Sequence, residues 1–227
     1  MHIYGLQKMT LLDYPGRVAC TVFLSGCDMR CPWCHNSELA EGKAPPVMTV
    51  EALRTFLKGR KGLLDGVAVT GGEPLLREEN LDLLRAIREM GYDVKLDTNG
   101  THPERLRRAV AEGLAQYVAM DIKNSPEKYA VTIGRDALDL GPVRESVSFL
   151  KEGKTAYEFR TTVVRELHDE ESFRGIGAWI DGAERYALQR FTDRDTVPYE
   201  GFHGPEDAEI EKWAQGMKSH VREVIIR

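Results

Sequence analysis

Six short apolar runs, each followed by a segment whose apolar residues recur at helical spacing, leave this 227-residue chain few folds to choose from. The runs fall at residues 18–25, 67–70, 93–96, 117–122, 157–164 and 185–191. The first, VACTVFLS, is almost continuously apolar, as expected of a strand covered on both faces. Between them, Leu53, Phe56 and Leu57 form the inner face of a helix that Thr49 would cap. Leu81, Leu84 and Ile87 mark a second helix that stops at Gly91, and Pro103 opens a third that ends near Gly113. Further helices carry Val143, Val147 and Leu150, then Phe173, Ile176 and Ile180, then Ile210, Trp213 and Met217. Residues 221–226 add a candidate seventh strand. Strands alternating with amphipathic helices imply an α/β fold with a parallel sheet and helical crossovers. An open doubly wound sheet and a partial barrel both satisfy that pattern. With no linker or low-complexity segment, residues 1–227 are expected to form a single domain. Residues 1–17, with a turn at Tyr14, Pro15 and Gly16, read as a strand or hairpin extension to the βα units of 18–227.

Composition removes several functions. A net charge of −5 argues against a protein that holds nucleic acid on a broad basic surface. No apolar run approaches the roughly 18 residues of a membrane span, and the N-terminal stretch has no signal-peptide core. No nucleic-acid or membrane partner is therefore expected, and the expected location is the cytoplasm. Three of the four cysteines cluster in one loop, which suits metal binding in a reducing compartment better than a disulfide framework.

In parallel α/β folds the reactive groups gather at the carboxyl ends of the strands. Here nearly every strand end carries a polar motif. After the first comes GCDMRCPWCHN, which spaces Cys27, Cys31 and Cys34 as C-x3-C-x2-C. Three thiolates would leave one iron of a four-iron cluster open to a ligand. Cys20 lies inside the apolar strand, up to about 23–25 Å of extended chain away, and reads as a buried core thiol. A structural zinc using His35 is the alternative, disfavoured because Cys34 and His35 are adjacent. Gly71 and Gly72 end the second strand and would let bare backbone approach a ligand. Asp97 and Asp121 end neighbouring strands, a pair suited to a cation, a ribose or a positively charged ligand, with Lys123 on the same side. Trp33 is odd as a core residue between two cysteines and fits a planar ligand beside a cluster.

The cysteine loop with its aromatic residue, followed by Gly71-Gly72-Glu73-Pro74, resembles the radical S-adenosylmethionine (SAM) enzymes. The likeness covers nearly the whole chain. Residues 9–16 (MTLLDYPG), Asp121-Ile122-Lys123 with Lys128-Tyr129, and residues 157–163 (YEFRTTV) resemble the glycyl-radical-enzyme activating proteins, a group that includes the pyruvate formate-lyase activating enzymes. Residues 185–191 (RYALQRF) are most similar to the activating proteins of anaerobic ribonucleoside-triphosphate reductase. This resemblance implies a partial (βα)6 TIM-like barrel with a [4Fe-4S] cluster on Cys27, Cys31 and Cys34. It implies SAM on the fourth iron, its amino group held by the backbone of Gly71, Gly72 and Glu73. Thr98, Asp121 and Lys123 would contact its ribose or methionine portion, with Trp33 beside it. A monovalent cation at Asp97, Thr98 and Asp121 is a further implication. The expected partners are a glycyl-radical enzyme, foremost the anaerobic reductase, and an electron donor such as flavodoxin or ferredoxin.

The chain departs from the pattern in places. The pyruvate formate-lyase branch carries a histidine on the strand-six loop, where this chain reads Gln189-Arg190-Phe191-Thr192. No second cysteine cluster follows, and residues 192–204 match the family least. Two other readings stay open at this point. One is a radical SAM enzyme acting on another glycyl-radical enzyme or on a small molecule. The other is a non-catalytic protein with structural zinc or an electron-carrying cluster.

Overall fold

The computed structural model describes residues 1–227. The chain opens with β1 (His2–Ile3), β2 (Gly5–Thr10), β3 (Ala19–Leu24), α1 (Ser37–Ala40), β4 (Met48–Thr49) and α2 (Val50–Lys58). Then come β5 (Gly66–Gly71), α3 (Asn80–Glu89), β6 (Asp93–Thr98), α4 (Pro103–Ala111) and β7 (Tyr117–Asp121). Two helices, α5 (Tyr129–Thr132) and α6 (Gly141–Lys151), precede β8 (Ala156–Val163). The chain finishes with α7 (Glu170–Ile180), β9 (Ala183–Arg190), α8 (Asp207–Met217) and β10 (Val221–Ile226).

The main sheet has the order β10-β9-β8-β7-β6-β5-β3-β2. All pairs from β3 to β10 are parallel, and β2 joins antiparallel at the edge. Each strand therefore lies on the same side of its predecessor. A doubly wound sheet needs a reversal of that order, and none occurs. Crossovers of constant right hand then put every helix on one face of the sheet. The other face curls inward. Tyr14, before β3, joins Ala19 of β3 in one cluster with Tyr117 and Ala119 of β7, its ring 6.1 Å from that of Tyr117, although three strand spacings would hold β3 and β7 about 14 Å apart in a flat sheet. The edges β2 and β10 do not pair, so the barrel is partial.

The two faces differ in chemistry because side chains alternate along a strand. Cys20, Val22, Val67, Val69, Val94, Leu96, Val118 and Phe159 pack against the helices in one core of 45 buried residues. That core is where Leu57, Ile87, Val147 and Ile176 of the helices also sit. The inward face instead carries charge, with Lys95, Asp97, Asp121, Glu158 and Arg160 tied to one another or to neighbours. Helix ends follow the sequence signals: the Thr49 hydroxyl accepts from the Ala52 N–H at 3.2 Å, and Gly91 takes φ +77° beyond α3. The bridge between β1 and β4 was not legible in the sequence, since two residues per strand give no periodicity. No helix is long and apolar enough to cross a membrane.

Candidate active site

The carboxyl ends of β3, β5, β6, β7 and β8 surround one cavity, and the cysteine loop forms its wall. Cys27, Cys31, Trp33, Cys34, Gly71, Gly72, Glu73, Asp97, Thr98, Asp121 and Lys123 all line it. Cys20 does not. It is fully buried among the helix-facing residues of β3 and does not reach the cavity. The three loop thiols are partly buried, and burial pushes Cys27 up to about 12 and Cys31 to about 11, with Cys34 raised for the same reason. They are thiols at neutral pH until a metal displaces their protons. No three His, Cys, Asp or Glu side chains converge on one point as the ligands of a single bound ion do.

The loop is fixed by its surroundings. Gly26 N–H donates to Leu39 O at 2.8 Å, and Cys27 N–H to Ala40 O at 3.1 Å. Trp33, expected to present a face to a planar ligand, is only 5% exposed. Its indole N–H donates to Thr132 O at 3.1 Å, and it packs with Val164 and Phe191. Trp33 thus anchors the loop to α5 as well as lining the cavity, a role that depends on contacts about 100 residues away. His35 is not turned toward the cysteines as a fourth ligand: its ring stacks on Phe191 at 5.1 Å and its Nε2 meets Thr192 O at 2.6 Å.

The glycine pair is needed for a reason the sequence did not show. A Cβ on Gly71, whose φ is +118°, would lie 2.2 Å from Leu24 O, and one on Gly72 would lie 2.0 Å from Gly26 O. The absent side chains let β5 close onto the start of the cysteine loop, where Gly72 N–H donates to Leu24 O and Glu73 N–H to Gly26 O. Glu73 itself points inward to protein. Its carboxylate accepts from Leu75 N–H at 2.8 Å, the Thr98 hydroxyl at 2.8 Å and Asn99 N–H at 2.7 Å, which ties the loop after β5 to the loop after β6. Burial pushes its carboxyl up to about 7 despite those three donors.

The carboxylate pair changes most. Arg160 lies between Asp97 and Asp121, with Nη2 at 3.0 Å from Asp97 Oδ2 and Nε on Asp121 Oδ1. Lys95 pairs with Asp97 from below, and Lys123 Nζ sits 2.8 Å from Asp121 Oδ2. Burial is the largest single influence and would raise both carboxyls, but Arg160 together with Lys95 at Asp97 and with Lys123 at Asp121 outweighs it, and both are held below the usual carboxylate range. The monovalent cation expected at Asp97, Thr98 and Asp121 therefore meets a site already neutralised from within, and the Thr98 hydroxyl is committed to Glu73. The reason is register: β7 pairs Asp121 with Arg160 of β8, and the inward curl brings Asp97 to the same guanidinium.

Arg160 and Asn99 line the cavity but carried no role in the sequence reading. The available signal was charge at every second position of interior strands: Lys95 and Asp97, Glu158 and Arg160.

A one-way parallel sheet, a three-thiol loop at the end of its first parallel strand and a charged, glycine-walled cavity beside it define a cofactor-binding α/β barrel. A model of the radical SAM superfamily matches residues 21–171. A protein of Methanocaldococcus jannaschii, assigned by inference as a glycyl-radical enzyme activating enzyme, is 30% identical over 232 residues, 99% of this chain and 95% of that one. The pyruvate formate-lyase-activating enzyme of Clostridium pasteurianum is 36% identical over 103 residues, 43% of each chain. The crystal structure of Streptococcus suis SuiB bound to S-adenosylmethionine shares the fold alone, with a TM-score of 0.69 at 12% identity over 91% of this chain and 51% of that one. The chain belongs to the radical SAM superfamily, within the family of glycyl-radical-enzyme activating enzymes. That family works with a [4Fe-4S] cluster and SAM. The donor set here fits such a group: three thiols open on the cavity, and the fourth cysteine is turned away.

Proposed function

We propose that this protein is the activase of anaerobic ribonucleoside-triphosphate reductase, removing a hydrogen atom from a glycine of that partner. The observation that carries the reading is the placement of Cys27, Cys31 and Cys34, without Cys20, on one cavity with the glycine-walled end of β5 and the Lys123 end of β7. Cys27, Cys31 and Cys34 would hold the [4Fe-4S] cluster. When bound, the cluster and SAM supply a one-electron cleavage whose product is a 5′-deoxyadenosyl radical, the agent of hydrogen abstraction.

The chain's own residues hold and shield. The backbone from Gly71 to Glu73 lines the cavity where a polar amino group would be received, and Glu73 is spent on keeping that backbone in place. Lys123 offers its charge to a carboxylate while Asp121 orients it. Thr98 and Asp97 complete the wall, Thr98 and Asp121 would meet the ribose or methionine portion of SAM, and Trp33 closes the side next to the cysteines. Trp33, Val164 and Phe191 exclude water from that side, which protects a reactive intermediate from quenching. The match of the M. jannaschii relative along nearly the whole chain supports the activase reading, and residues 185–191 support the choice of partner. Flavodoxin or ferredoxin would deliver the electron.

The test is anaerobic reconstitution with iron and sulfide, followed by SAM, a reductant and the reductase. A glycyl radical signal in the reductase, absent with Cys27→Ala, Cys31→Ala or Cys34→Ala, is expected. A colourless protein holding zinc and no iron would end the reading.

A further inference from the structure

Among the three cysteine sulfurs, Cys27 is the one that a side-chain N–H reaches. Asn99 Nδ2 lies 3.8 Å from Cys27 Sγ and 2.8 Å from Asp28 Oδ1. The orientation of this amide is settled by its other end. Its Oδ1 accepts from the Thr101 N–H at 3.0 Å, and a backbone N–H can only donate, so the NH2 group must face the cysteine loop. That group has two hydrogens. One satisfies the Asp28 carboxylate, which leaves the second for the sulfur. Asn99 is also immobile: it is 6% exposed, and its own N–H is held at 2.7 Å by the buried carboxylate of Glu73.

We propose that Asn99 is a positioning residue that donates its second amide hydrogen to the Cys27 sulfur and so raises the reduction potential of the cluster held there, an inference that rests on the functional reading above. Hydrogen bonds to cluster sulfurs favour the state with more negative charge on them, which is the reduced one. The Met29 N–H, 3.4 Å from the same sulfur, acts in the same sense. The negative charge of Asp28, next to Cys27, acts in the opposite one. Its carboxylate is answered by Asn99, by the Thr101 hydroxyl at 2.5 Å and by His102 Nε2 at 3.3 Å, all from the loop after β6. Asn99 therefore serves both sides of one balance, screening the anion and feeding the thiolate.

The variant is Asn99→Leu, close in shape and without a donor. It is reconstituted anaerobically alongside the wild type, and iron per chain is measured together with the midpoint potential by electron paramagnetic resonance titration. The expected result is full iron with a lower midpoint. At the wild-type midpoint the reduced-to-oxidised ratio should fall from one to about one tenth, a shift of about 59 mV for a one-electron couple. A merely structural role would lower iron content or melting temperature and leave the midpoint unmoved, and that outcome overturns the inference. If Asn99→Leu takes up no iron, wild-type protein labelled with nitrogen-15 at the asparagine side-chain amide decides. Hyperfine coupling of the reduced cluster to an amide nitrogen and its exchangeable proton supports the bond, and absence of coupling refutes it. The side-chain amide of Asn36 would not mimic the signal, because it donates to Gly71 O at 3.2 Å and, unlike that of Asn99, makes no hydrogen bond to a cysteine sulfur. Wild-type protein that forms no four-iron cluster overturns the functional reading and this inference together, whereas an unmoved potential in Asn99→Leu overturns this inference alone.

Discussion

Replacing Arg160 by methionine tests whether the charged interior of the barrel holds its strands together. The guanidinium makes two charge-assisted hydrogen bonds, one to Asp97 on β6 and one to Asp121 on β7, and its side chain is 13% exposed. Such bonds contribute about 1.5–3 kcal/mol each, and removing one partner of a buried ion pair costs about 3–5 kcal/mol. Lys95 and Lys123 remain beside the two carboxylates, so neither is left bare, and the lower end of about 3 kcal/mol applies. For a chain of this length that is a fall in Tm of about 6–12 °C. The assay is thermal unfolding of metal-free protein by circular dichroism, in parallel with Arg160→Lys. The lysine variant should recover about half of the loss, because one ammonium cannot reach both carboxylates with a fixed fork. The pH dependence has a definite sign. Asp97 and Asp121 are held below their unfolded range, so their contribution is fully present above about pH 4 and is lost as pH falls further. The gap between wild type and Arg160→Met should stay level from pH 8 to about 5 and narrow only below about 4. A methionine variant that melts within about 1 °C of wild type would refute the reasoning.

Gly72→Ala should cost about 1–3 kcal/mol or more and weaken iron retention, since its Cβ would meet Gly26 O at 2.0 Å, whereas Gly59→Ala, with its nearest contact at 3.5 Å, should be neutral or slightly stabilising by thermal melt. Cys20→Ala should retain full iron after reconstitution at a cost of about 1 kcal/mol in a urea titration, and loss of iron would show that the fourth thiol had been misplaced. Asp169→Ala removes the carboxylate that accepts Ser172 N–H at 2.9 Å at the start of α7, and should cost about 0.5–2 kcal/mol at pH 7. Lys128 and the cap hold the Asp169 carboxyl down to about 2, so the difference from wild type should persist above about pH 4 and fade as pH falls through 2.

Much of the site was legible because its parts are local. Cys27, Cys31 and Cys34 stand within eight residues, and the stops at Gly91 and Gly113 follow from backbone requirements of single turns. The bounds of the six strands were off by one or two residues, since the ladder rather than the apolar run sets where a strand ends. Trp33 lies on the cavity as expected from its place in the loop, but its burial is not legible, for the opposite reason. An aromatic residue among cysteines looks free until Thr132, Val164 and Phe191 arrive from distant segments to bury it. Gly71 and Gly72 stand out in the sequence at the end of a strand, but the atoms that exclude a Cβ there, Leu24 O and Gly26 O, belong to β3 and to the loop after it.

The sequence alone determined the alternation of strands and helices, the address of the polar motifs at strand ends, and the spacing of three cysteines within one loop. Those properties depend on side-chain periodicity and on spacings of a few residues, which a chain cannot alter by folding. Tertiary structure decided the order of strands, which distinguishes a curled one-way sheet from a doubly wound one, and the partners of each inward charge. Asp97 and Arg160 are 63 residues apart, and they meet only because strand register and the curl of the sheet bring them to one point. Register is a collective outcome of many backbone hydrogen bonds, so no short stretch of sequence contains it.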